Sequence, residues 1–150
     1  MDGPETHVYK SAGGHDIKLD IHPPAGSAQR ARPAVMFIHG GGLIAGGRNN
    51  LLPAHVEAFN RMGILLVSVD YRLSPETRLP EIIEDVENAW SWIRSNAEAI
   101  GIDPNRVAVI GHSAGGYLSL VGGYRFEPRP KAVVSIAGYG DLLHESFAVS

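Results

Sequence analysis

Four short apolar runs, Ala34 to Ile38, Ile64 to Val69, Arg106 to Ile110 and Ala132 to Ile136, limit what this chain can fold into. They are rich in Val and Ile and nearly continuous in hydrophobicity. A strand covered on one face alternates apolar with polar residues, whereas a strand buried on both faces does not, so these runs read as strands of a parallel sheet. Parallel neighbours need crossover connections, and the intervals between the runs supply them. Across Leu79 to Ile100, Ile82, Val86, Ala89, Trp90, Ile93 and Ala97 recur at helical spacing, while Glu81, Glu84, Asp85, Glu87 and Arg94 fill other faces. Pro80 suits a first turn and Gly101 a helix stop. Leu51 to Met62 and Gly116 to Tyr124 read as shorter helices. Trp90 and Trp92, two apart on the long helix, cannot share a face, which makes one core and the other boundary.

The N-terminal segment has a different period. Ile17, Leu19 and Ile21 alternate with polar neighbours, as in a half-buried antiparallel strand. His7 to Lys10 is its expected partner across a Gly13-Gly14 turn, and Pro23-Pro24 closes the unit. The whole reads as an α/β fold: an N-terminal antiparallel hairpin, a mostly parallel sheet, right-handed crossovers and helices on both faces. No internal repeat, low-complexity tract or linker interrupts it, and Gly26 to Pro33 reads as a loop.

Composition excludes several functions. Hydrophobic residues make up 44% and charged residues 19%, so disorder is disfavoured. Thirteen Lys and Arg against sixteen Asp and Glu leave a net charge of −3, and with no basic run nucleic acid is not an expected partner. With no cysteine there is no disulfide, thiolate zinc site, iron–sulfur cluster or cysteine nucleophile. His7, His15, His22 and His55 lack the spacing of a metal motif, so neither metal nor cofactor is expected. No apolar run approaches the ~20 residues of a membrane span. The N-terminus has neither a basic n-region nor an apolar h-region, and the default expectation is a cytoplasmic protein.

Glycine is in excess, 18 of 150 residues against a usual ~7%, and clusters of it follow the expected strands, where ligands of open α/β sheets bind. Gly111-His112-Ser113-Ala114-Gly115 ends one strand and opens a helix, matching the G-x-S-x-G nucleophile elbow. There the serine takes a strained backbone with φ > 0, and the flanking glycines let strand and helix approach. The Ala114 N–H would lie at a helix N-terminus, where it can stabilise an oxyanion. The competing reading is an ordinary glycine-rich turn. After the earlier strand, His39-Gly40-Gly41-Gly42 has the form that supplies further oxyanion donors in lipases and esterases. Gly40-x-Gly42-x-x-Ala45 also fits a dinucleotide fingerprint, with Asp70 where a ribose-binding acid belongs. Against that Rossmann reading, Gly46, Gly47 and Pro53 interrupt the helix it needs at once, and Ser113 goes unused. A P-loop is excluded because Arg48-Asn49 stands where Lys-Ser/Thr is needed.

Ala34 to Gly42 (AVMFIHGGG), Val69 to Glu76 (VDYRLSPE) and Asp103 to Gly116 (DPNRVAVIGHSAGG) together resemble the α/β-hydrolase superfamily, in its hormone-sensitive-lipase-like carboxylesterase branch. The resemblance covers residues from about Thr6 to Gly140. It implies Ser113 as nucleophile, the N–H groups of Gly41, Gly42 and Ala114 as oxyanion hole, and a small ester as substrate. It further implies that Tyr71-Arg72 braces the loops, that Leu43, Ile44 and, more weakly, His112 lie near the substrate pocket, and that His39 is structural. The mechanism also needs an acid and then a histidine after the serine. Here only Glu127, Asp141, Glu145 and His144 follow it. Asp141 lies one strand too early and reads as a loop or cap residue, and His144 reads as a surface histidine. Residues 1–150 thus read as the N-terminal part of a single α/β-hydrolase domain, truncated after the sixth strand, with the acid and base elsewhere. Such a truncation leaves Ala132 to Ile136 as an apolar edge that a second copy or a complementing polypeptide would cover. The isolated chain is then at best a feeble esterase. The reading from another class is a non-catalytic fragment or assembly module.

Overall fold

The computed structural model describes residues 3–24 and 31–140. Six strands, β1 (Glu5–Ala12), β2 (His15–His22), β3 (Arg32–Ile38), β4 (Leu65–Val69), β5 (Ile102–His112) and β6 (Val133–Ile136), form one sheet in the order β1-β2-β4-β3-β5-β6. The hairpin β1/β2 turns through Gly13 and Gly14, both at positive φ, and adds antiparallel to β4. From β4 to β6 every pairing is parallel.

Three α-helices cross between parallel strands: α1 (Pro53–Arg61), α2 (Leu79–Ser95) and α3 (Ala114–Arg125). The path runs from β3 to β4, then back past β3 to β5 and β6. With right-handed crossovers this reversal puts α1 on one face and α2 and α3 on the other. The core lies on the α2/α3 face, where Met36, Ile38, Val67, Val69 and Val109 are fully buried beneath Ile82, Val86, Trp90 and Leu118. Trp90 stacks on Phe126 with ring centroids 5.2 Å apart and is core, while Trp92 is only partly buried.

Three sequence expectations are corrected. Helix α2 stops at Ser95, short of Ile100, because the Asn96 side chain and backbone N–H both donate to the Trp92 carbonyl, capping the helix early. Asp85 lies on the core side of α2, fully buried, and not on a solvated face. There its carboxylate accepts from Arg72 Nε at 2.8 Å, Arg72 Nη2 at 2.8 Å, the Arg72 backbone N–H at 3.0 Å and Lys10 Nζ at 2.8 Å. Strand β6 is also not buried on both faces. Val134 and Ile136, in register with Ile110 and His112, are 44% and 47% exposed. Among the described residues, α1 is the α-helix on their face, and it contacts β4 at the far side of the sheet. Asp141, Glu145 and His144 lie outside the described residues.

Candidate active site

Strand β5 runs straight into α3, and the junction residue is Ser113 at φ 55°, ψ −118°. A non-glycine residue with positive φ is strained, and such strain persists only where its surroundings over-determine it. Here they do. The Ser113 N–H donates to the Ile136 carbonyl at 2.8 Å, and the Tyr117 N–H donates to the Ser113 carbonyl at 3.1 Å. A Cβ on Gly111 would overlap the Gly115 carbonyl, and one on Gly115 would overlap the Ile38 carbonyl at the end of β3. Strand and helix therefore meet at backbone contact on either side of the serine.

Across the β5 end lies the loop that leaves β3. A Cβ on Gly40 would stand 2.8 Å from the His112 carbonyl oxygen and 3.2 Å from Ser113 Cβ, so this loop rests directly on the elbow. Gly41, Gly42 and Leu43 then take positive φ in succession, 119°, 64° and 66°. The turn is closed by the N–H groups of Ile44 and Ala45, which both donate to the Gly41 carbonyl. Among the described residues no acceptor takes the N–H of Gly41, Gly42 or Ala114. Backbone donors rarely go unpaired, and these three lie on two loops that touch beside a strained serine.

His39 holds the loop in place. It is fully buried, its Nδ1–H donates to the Gly40 carbonyl at 2.7 Å, and its ring stacks on Tyr71 at 4.2 Å with planes 6° apart. The Tyr71 hydroxyl donates to the His39 carbonyl at 2.8 Å. Burial lowers the His39 pKa, with the Gly40 hydrogen bond opposing in part, so the imidazole stays neutral. For Asp85 burial would raise the pKa, but the hydrogen bonds from Arg72 and Lys10 outweigh it and hold the carboxyl below its ordinary range. The Tyr71-Arg72 pair thus ties the β4 end to both the glycine loop and α2.

Leu43 is half-buried against the core, with its carbonyl accepting from the Ser74 N–H, while Ile44 is 66% exposed and His112 is exposed. Asp70 is taken by Arg48, whose backbone N–H and Nη1 donate to its two oxygens at 2.7 and 2.6 Å. No helix starts at Gly42, and α1 begins only at Pro53. Neither half of the dinucleotide reading survives. A cleft of about 1030 Å³ between β2 and α1, lined by His22, Arg48, Leu51 and Val56 among others, does not include Ser113. Among the described residues no cluster of His, Cys, Asp or Glu could hold a metal, and no helix is long and apolar enough to cross a membrane.

One residue at the site was missed from the sequence. Tyr139 brings its hydroxyl to 3.5 Å from Ser113 Oγ. The signal was present in Gly138 and Gly140, which flank it just after the last apolar run.

A mixed sheet with a serine elbow at one parallel-strand end and a glycine loop at the next defines an α/β-hydrolase. The chain belongs to the BD-FAE family, whose model matches residues 19–140. It is 34% identical to ethyl acetate hydrolase of Pseudomonas putida over 72% of this chain and 34% of that protein. It is 40% identical to carboxylesterase NlhH of Mycobacterium tuberculosis over 79% of this chain and 38% of that protein. A similar segment, 38% identical, makes up 5% of the non-reducing polyketide synthase pkbA of Emericella nidulans. Among solved structures, the Thermogutta terrifontis esterase Est2 superposes with a TM-score of 0.71 and 33% identity, over 77% of this chain and 42% of that one. Its propionate-bound form gives 0.74 and 29% identity over 90% and 52%. The chain thus spans between a third and about half of these esterases.

Proposed function

We propose that Ser113 is the nucleophile of a carboxylester hydrolase acting on small esters. The observation that carries this reading is the strained Ser113 beside three backbone N–H groups without acceptors among the described residues. Ser113 Oγ attacks the ester carbonyl carbon and gives its proton to a base. The carbonyl oxygen becomes an oxyanion held by the N–H groups of Gly41, Gly42 and Ala114. Collapse breaks the bond to the alcohol, which takes the proton back from the base, and water repeats the sequence to release the acid. Nothing in this scheme needs a metal or cofactor. The esterase relatives and the propionate bound to Est2 support a small acyl group.

The base and its orienting acid come from polypeptide outside residues 1–150, either a continuation of the chain or a complementing partner. That polypeptide would also cover Val134 and Ile136 on β6, where a second copy of this chain is the rival occupant. Residues 1–150 alone are therefore at best a feeble esterase. The test is hydrolysis of p-nitrophenyl acetate by the protein and by Ser113→Ala. The expected result is loss of essentially all turnover in the variant. Equal turnover in both would exclude Ser113, and no turnover in a complemented protein would favour the assembly-module reading.

A further inference from the structure

Residues 136–139 are fastened to the elbow. The Ile136 carbonyl accepts the Ser113 N–H at 2.8 Å, and Ala137 follows at φ 51°. Gly138 lies so close to α3 that a Cβ on Gly116 would stand 2.9 Å from the Gly138 Cα. Tyr139 extends from this anchored segment to put its hydroxyl 3.5 Å from Ser113 Oγ, and its ring sits 6.5 Å from that of Tyr117 on the first turns of α3. A free serine side chain exchanges among three rotamers, and only one of them suits attack on a carbonyl held at the Gly41–Gly42 amides.

Building on the nucleophile assignment above, we infer that Tyr139 is a positioning residue for Ser113: its hydroxyl holds Oγ in the attacking rotamer. The separation of 3.5 Å is long for an O–H···O bond, and hydrogen bonds at a reacting oxygen commonly tighten when substrate closes the site. Tyr139 removes no proton and forms no bond. Its contribution is orientation, so it should appear in the rate of reaction at Oγ more than in substrate binding.

The experiment compares the protein with Tyr139→Phe and Tyr139→Ala. It measures the rate of Ser113 phosphonylation by a fluorophosphonate together with kcat and KM for p-nitrophenyl acetate. Tyr139→Phe keeps the ring and loses only the hydroxyl. It is expected to slow phosphonylation and kcat about tenfold, the rate equivalent of one ordinary hydrogen bond, with KM within about twofold of the parent on the uniform-binding criterion. Tyr139→Ala is expected to raise KM as well. Phosphonylation of Tyr139→Phe at the parent rate would overturn the positioning role while leaving the nucleophile assignment intact. A parent protein that Ser113→Ala leaves equally labelled would overturn both. A change in KM alone would also contradict the positioning role.

Discussion

At the scale of single residues, the side chains that shape the site are held by buried polar contacts that composition could not reveal. Asp85 is the clearest. Periodicity put it off the apolar face, since a charged residue is almost never fully buried unless paired. Its partners, Arg72 and Lys10, lie 13 and 75 residues away, so no local pattern announces the pairing. Asp85→Ala leaves Arg72 facing a cavity without its ion-pair partner and Lys10 with only Glu84 at 3.5 Å, and is expected to cost ~3–5 kcal/mol of stability. Chemical denaturation would measure it, and a loss under about 1 kcal/mol, the range of an exposed pair, would contradict the buried network. Ser113 and its glycines were legible for the opposite reason. The elbow needs near-absence of side chains at fixed offsets from the serine, a local requirement that sequence records directly. The glycines beside Tyr139 mark a loop at a strand end, but its relation to Ser113 crosses from the end of one strand to the end of the next, which no local pattern records.

Among the elements, all six strands and all three α-helices follow from the sequence pattern, and the errors fall at ends and faces. Helix α2 ends early because a side-chain amide competes for a helix carbonyl, which apolar spacing does not register. Strand β6 has the continuous apolar sequence of a doubly covered strand, yet one of its faces is open among the described residues. Sequence records the burial a strand was built for, and geometry records what covers it. Helix α1 makes the same point, since it contains no buried residue whereas α2 buries six. Local stability follows such burial. Amide hydrogens of α1 are therefore expected to exchange well before those of α2 and of β3 to β5 in native-state hydrogen exchange. Equal protection of α1 and α2 would contradict that order.

For the whole molecule, buried titratable groups make stability fall on acidification. Burial lowers the pKa of both His39 and His22. Above the ordinary value of ~6.5 both are neutral whether folded or unfolded, and they add no pH dependence. As pH falls through that value the unfolded chain binds protons that the folded chain refuses, so stability drops until the lowered native values are passed. The lowered Asp85 acts in the same direction at more acid pH. Its contribution is complete above the ordinary carboxylate range and is lost as pH falls through its native value. The urea midpoint is expected to decline from pH 7.5 to 5.5, by less in His39→Asn if that variant folds and in His22→Gln, and a flat profile would contradict the burial argument.

The fold, the elbow and the glycine loop together place a strained serine beside backbone donors in a chain that spans about half or less of its esterase relatives. The most direct test of that account is the mass of the protein after exposure to a fluorophosphonate, with the modified peptide mapped. The account predicts a single adduct on Ser113 that is absent from Ser113→Ala, formed slowly by residues 1–150 alone and rapidly once the base is supplied. An adduct on another residue, or none on Ser113 in the complemented protein, would contradict it.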